Sequence, residues 1–341
     1  MKSASRFRLA VLLAGLTPIV CIAQDNAARE SAPLRIVQAI PLPNVVGRID
    51  HFSVDPKRRL VIGSALGNDS VEVVNTFAGK VVHTIKGLDE PQGVLYVGGD
   101  INKIFVANAG DGKVRVYDGK TFALAATLDF GANTDNLRYD AGAKRVYVGY
   151  GEDTESGIGV IDAATDKRLD DAAKLDAHPE SFQLEQTGPN IYVNVADKAK
   201  ISVIDRKTKK VSAWPLSNLK ANFPMALDEA DHRLFIGTRK PARFVAIDTT
   251  SGKIVANLPS AGDMDDLYYD SGRKRIYVLG GEGFISVFQQ TDPDHYESMA
   301  KIPTTTGART GVWYEKRDRL YLAVPGRANQ GAELWVYEAQ D

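Results

Sequence analysis

The sequence predicts an all-β fold, and three observations narrow it to a seven-bladed β-propeller. Asn102 to Asp118 (NKIFVANAGDGKVRVYD) holds two alternating apolar runs, Ile104/Val106 and Val114/Val116, joined by the turn Gly110-Asp111-Gly112. That is the pattern of an antiparallel hairpin. The same pattern returns along the chain, its first apolar residue falling at Leu60, Ile104, Val146, Ile191, Leu234, Ile276 and Leu320, spaced by 42 to 45 residues. The copies alternate at period two and lack the i, i+3, i+4, i+7 spacing that a helical repeat would need. A strand-and-turn unit of this length cannot bury its apolar face alone and must stack on its neighbours, as propeller blades do.

Bulk composition fits one closed ring. The chain has 341 residues, 44% of them hydrophobic, and a net charge of −1. Such a balance does not advertise a polyanion-binding surface, so nucleic acid is not the expected partner. Residues 1–23 read as a secretory signal peptide: Lys2, Arg6 and Arg8, then the apolar run Leu9 to Val20, then Cys21-Ile22-Ala23. The run is too short to span a bilayer comfortably, and cleavage is expected after Ala23. A lipoprotein signal modified at Cys21 is the alternative, but bulky Val20 stands where a small residue is usual. With the cut after Ala23, the mature chain has no cysteine and owes nothing to disulfides. The expected location is the periplasm or the extracellular space, and the expected state is a monomer with no membrane span.

In chain order, residues 24–33 read as a flexible leader and residues 34–341 as the single propeller domain. Leu34 to Leu42 (LRIVQAIPL) has strand character but no hairpin of its own, while the seventh copy ends at Glu338 without a fourth strand. The N-terminal strand is predicted to fill that gap, closing the ring and leaving no unpaired blade edge. Each copy then runs from an innermost strand, such as Asn136 to Tyr139, through the apolar hairpin to a polar turn and an outermost strand. Asp118, Asp162, Asp205 and Asp248 are each followed three residues later by Thr121, Thr165, Thr208 or Ser251. This spacing caps a turn through side-chain to backbone hydrogen bonds, so these residues are read as structural. Gln290 to Tyr296 and Gly149 to Gly157 are expected as the longer loops.

Ile191-Tyr192-Val193-Asn194, Ile201-Ser202-Val203-Ile204-Asp205 and Thr208-Lys209-Lys210 resemble the YVTN-type β-propeller repeat. The likeness covers nearly all of the mature chain and is best in copies two to five. The chain is similar to the periplasmic YncE-like family, which implies a seven-bladed propeller outside the cytoplasm and no settled activity.

Candidate site residues follow from topology. The segments leading into the seven innermost strands converge on one mouth of the central channel, and they present Asp50, Gln92, Asp135, Glu180, Pro224, Asp265 and Thr310. Arg48, His51, Asn136, His178 and Arg309 stand beside them, and Asn108, Asn194 and Arg239 lie in hairpin loops on the same face. Carboxylates aimed at one axis repel and call for a counter-charge. Asp50, Asp135, Glu180 and Asp265 suit Ca²⁺ or Mg²⁺ as an all-oxygen set; Arg48 and Arg309 offer neutralisation without metal. Arg48, Gln92, Asn136, His178 and Arg309 are the candidate ligand-binding residues. His51 is the candidate general base if a carboxylate orients it, with a structural role as the alternative. No P-loop, G-x-S-x-G elbow or Cys/His metal spacing is present. Two readings remain. One is a binding or scaffold propeller holding a small ligand, cation or protein partner at the acidic mouth. The other is a metal-dependent lactonase, hydrolase or lyase, similar to the gluconolactonase and streptogramin lyase propellers.

Overall fold

The computed structural model describes Met1, residues 32–327 and residues 330–341. The expected signal peptide, its cleavage site and most of the leader lie outside the described residues. Seven four-stranded antiparallel sheets form the chain, six of them in simple sequence order. Blades 1 to 6 occupy residues 52–86, 91–129, 134–175, 182–215, 220–259 and 264–303. Blade 7 takes three strands from residues 311–339, and its fourth is the N-terminal strand Leu34–Leu42, hydrogen-bonded to Ala332–Ala339. The predicted ring closure is therefore observed, as is the fold class.

Alternation along each strand sends apolar side chains to both faces of a blade, so the core is seven layers, each pressed between neighbouring sheets. Leu60, Ile62, Val94 and Ile104 fill the layer between blades 1 and 2, and Ile191, Val193, Ile158 and Phe182 that between blades 3 and 4. The closing strand serves two layers: Leu34 packs between blades 6 and 7, while Ile40 and Leu42 pack between blades 7 and 1.

The turn caps behave as their spacing predicts. Asp118 Oδ1 accepts from Lys120 N, Thr121 N and Thr121 Oγ1 at 3.0, 2.7 and 2.8 Å, which lowers its pKa. Asp162, Asp205 and Asp248 repeat the arrangement. Two expected loops are shorter than anticipated. The strands Phe284–Asp292 and His295–Pro303 leave only residues 293 and 294 to turn, and Tyr150 already pairs with Gly157, which confines the other loop to residues 151–155.

The feature that shapes the channel is a β-bulge near the start of the innermost strand. In blade 3, Thr134 faces Tyr150 but Leu137 faces Val148, so Asp135 and Asn136 together oppose one residue. Gln92-Gly93 in blade 2 and Phe223-Pro224 in blade 5 occupy the same bulge, and Asp265 is the extra residue in blade 6. In blade 1, Asp50 N donates to Ser64 O and Ser64 N donates to His51 O; Glu180, Asn194 and Ser181 do the same in blade 4. A bulge re-aims side chains that a regular pleat would send into the blade.

Candidate functional site

Reading the bulge around the ring gives the residues that point at the axis: Asp50, Gln92, Asp135, Glu180, Phe223, Asp265 and Arg309. Phe223 and Arg309 take the places that the sequence reading gave to Pro224 and Thr310. Those two belong to the next tier, with His51, Asn136, Ser181 and Asp266, and Thr310 Oγ1 donates to Ile49 O at 2.9 Å. Gln92, Asp135 and Asp265 also lie within their innermost strands, not in the segments before them.

The axial residues enclose a polar cavity of about 190 Å³ at the channel mouth. Arg48, His51, Gln92, Asp135, Asn136, His178, Glu180, Asp265 and Arg309 all line it. Asp50 does not: its side chain is 0% exposed and sits beneath Arg48, whose Nη2 is 2.9 Å from Asp50 Oδ2. Phe223, Arg239, Asn133 and Ser181 complete the lining. From sequence, Arg239 is placed only in a hairpin loop on this face, and nothing singles out the other three.

The arginines of this mouth gather on one side. Blades 5, 7 and 1 contribute three of them around Asp265 of blade 6, matched in number by Asp50, Asp263 and Asp265. Arg239 Nη2 donates to Asp265 Oδ1 at 2.8 Å, Arg309 Nε lies 2.9 Å from Oδ2, and Arg48 Nη2 lies 3.7 Å from Oδ2. Asp263 holds Arg309 Nη1 at 2.7 and 2.9 Å, and the Arg239 guanidinium lies 4.0 Å from the Phe223 ring centroid. Blades 3 and 4 form the acidic half, from Asp135, His178 and Glu180. Each of these three offers a ligand atom, all within 4.8 Å of one another. Burial pushes Glu180 up to about 8, and Asp135 and Asp265 push the same way against Arg239.

The four carboxylates expected to form one ligand set are thus divided. Asp50 and Asp265 are taken up by arginines, whereas Asp135 and Glu180 face the cavity with an imidazole between their blades. His51 lies under the mouth, its Nδ1 3.2 Å from Asp266 Oδ1 and its Nε2 3.7 Å from Asp50 and 3.8 Å from Asp135. Burial opposes its charged form, but Asp266 and Asp50 outweigh burial and hold its pKa well above the ordinary value. A histidine in this setting favours its charged form, which draws the surrounding carboxylates together.

No protein-family model matches the chain. Two curated relatives, each named uncharacterized protein YncE, come from Salmonella typhi and Salmonella typhimurium. They are 25% and 24% identical to this chain over 244 residues, covering 67% of it and 68% of each relative. The chain is a YncE-like β-propeller protein. Several solved propellers share the YncE-like ring at much lower identity. A chain of Kuenenia stuttgartiensis hydrazine synthase superposes with a TM-score of 0.69 at 16% identity, over 84% of this chain and 95% of that one. The WD40 repeats of RRP9 give 0.75 at 10% identity, over 91% and 98%. A chain of the mitotic checkpoint complex gives 0.73 at 13%, over 100% and 99%. These likenesses establish the fold and nothing about ligand. Among the described residues no helix is long and apolar enough to cross a membrane.

Proposed function

We propose that this YncE-like propeller is an exported, non-catalytic binding protein that holds a small anionic ligand at the channel mouth. The observation that carries the reading is the gathering of three ion-paired arginines on one side of the cavity. Arg48, Arg239 and Arg309 are fixed by Asp50, Asp265 and Asp263, so their remaining N–H edges are preorganised for an anion at little entropic cost. A rigid ring supports them, and side chains from several blades converge on a volume that suits a small molecule and not a peptide strand. Export rests on the N-terminal sequence pattern, and mass spectrometry of the mature protein should find Gln24 as its first residue.

The test is calorimetric titration, in EDTA, with a panel of small carboxylates, sugar acids and phosphate. At least one compound should bind, and Arg239→Met should weaken it by about tenfold or more, as loss of a charge-assisted pair predicts. A panel that gives no heat, or binding untouched by Arg239→Met and Arg48→Met, overturns the reading. The second reading, a metal-dependent lactonase or lyase, is favoured only by the Asp135/His178/Glu180 grouping. Turnover of a lactone panel in added Zn²⁺ or Mn²⁺, abolished by Asp135→Asn, would replace the first.

A further inference from the structure

We infer that the acidic half of the mouth is a mixed nitrogen and oxygen site for a divalent transition cation, held by Asp135, Glu180 and the Nε2 atom of His178. The grouping alone would be an ordinary acidic cluster. Two further observations make it a site.

The first is the state of Asp135. The residue is 4% exposed, and its Oδ1 has no hydrogen-bond partner. Its other oxygen, Oδ2, accepts from Asn136 Nδ2 at 3.2 Å, and Arg138 Nη1 in turn donates to Asn136 Oδ1 at 3.3 Å. One oxygen is tethered from behind, while the other accepts no hydrogen bond and lies 3.8 Å from His51 Nε2. A buried carboxylate oxygen without a partner is costly, and a cation is the partner that would relieve it.

The second is the tautomer of His178. Its Nδ1 lies 2.6 Å from the carbonyl oxygen of Gly151. A carbonyl only accepts, so Nδ1 carries a proton, and in the neutral imidazole the lone pair then lies on Nε2. This backbone anchor on the far ring nitrogen is how a metal-ligating histidine is oriented and its tautomer chosen. The anchor itself is specified by sequence. Gly151 has φ +101°, and a Cβ there would lie 2.4 Å from Glu155 O, so only glycine presents that carbonyl.

One imidazole and two carboxylates from different blades leave coordination positions open toward the cavity, the pattern of three-ligand sites. The imidazole directs the choice toward Zn²⁺ or Mn²⁺ and away from the Ca²⁺ or Mg²⁺ of an all-oxygen set. Bonds of about 2.0–2.2 Å require the three ligand atoms, which lie within 4.8 Å of one another, to draw closer together. The inference rests on the mouth being the binding site of the protein, and it adds a cation opposite the arginines.

The test uses the full mature protein stripped with EDTA. Zn²⁺ at about a hundred times its Kd should raise the melting temperature by about 4 °C, with Ca²⁺ and Mg²⁺ giving less. His178→Gln and Asp135→Asn should each weaken Zn²⁺ binding at least tenfold, while His295→Gln, which removes the exposed Asp292/His295 pair, should not. No Zn²⁺-dependent rise, or a rise equal in His178→Gln and Asp135→Asn, overturns the inference. Should those variants not fold, imidazole ¹⁵N spectra of the unmutated protein decide. His178 Nε2 must move on adding Zn²⁺, and movement confined to other histidines overturns the site. Loss of Zn²⁺ binding with anion binding in EDTA intact sinks only this inference; the converse sinks only the ligand reading.

Discussion

Asp50 is a residue whose chemistry is displaced far from the ordinary. It has no exposed surface, and neither oxygen receives a hydrogen bond of proper geometry. Burial pushes its carboxyl up to about 7; His51 and Arg48 resist, and Asp265 and Asp135 add to the rise. An unfolded aspartate titrates near about 3.9, so between these values the folded state holds a proton that the unfolded state has lost. Stability should therefore fall as pH rises through that window, and the raised pKa of His51 acts with the same sign. The melting temperature should be lower at about pH 8 than at about pH 5, and Asp50→Asn should reduce the difference. An unchanged slope in that variant would mean that Asp50 does not carry it. Gly93 makes a second prediction at this scale. A Cβ there would fall 2.0 Å from the backbone oxygen of Asp135, so Gly93→Ala should cost about 1–3 kcal/mol in urea unfolding and disturb the mouth. Much of this mouth was legible. Arg48, Gln92, Asp135, Asn136, His178, Glu180, Asp265 and Arg309 follow from counting strands. Phe223 was not, because Pro224 looks like the punctuation that opens a strand. Yet counting eleven residues back from Val146, Ile191, Leu234, Ile276 and Leu320 lands on Asp135, Glu180, Phe223, Asp265 and Arg309, so the signal was there in the repeat. The arginine clamp on Asp265 was not visible, since it depends on which way long side chains from separate blades turn.

At the scale of the element, the strand Leu34–Leu42 matters beyond its nine residues. It covers the edge of Ala332–Ala339 and buries Leu34, Ile40 and Leu42 in two layers. Each of those side chains is worth about 1.5–3 kcal/mol on full burial, and its removal also bares a strand edge. Deleting residues 34–42 should lower the melting temperature by about 10 °C, which is what several kcal/mol means for a domain of this size, and shift the protein to larger species on gel filtration. A monomeric, equally stable truncation would refute that role. This strand was legible from its sequence because a seventh copy one strand short requires a donor. The exact hairpin lengths were not, since Gln290 to Asp292 carry no apolar alternation and pair with the help of side-chain hydrogen bonds to His295 and Tyr296.

For the molecule as a whole, seven apolar layers between like sheets make each blade depend on two others. A linear stack of repeats can fray from its ends, with stability close to a sum of local terms; a closed ring has no end to fray from. Unfolding should therefore be a single transition. Trp214 lies in blade 4 and Trp313 and Trp335 in blade 7, so fluorescence of single-tryptophan variants should report coincident urea midpoints across the ring. Separated midpoints would show that the blades unfold independently. The period of the repeat made this architecture readable, because equal spacing in sequence becomes equal angle around an axis.

The suture between the two chain ends also sets a timetable. Leu34–Leu42, which completes the last blade, is made before the six other blades, and its mate, Ala332–Ala339, after them. Until that mate emerges, the strand waits with nothing beside it, exposed to any other strand that passes. Newly made protein should thus be at greatest risk of aggregation in the interval before Ala332–Ala339 is made, and a helper that shields nascent chains should matter most there.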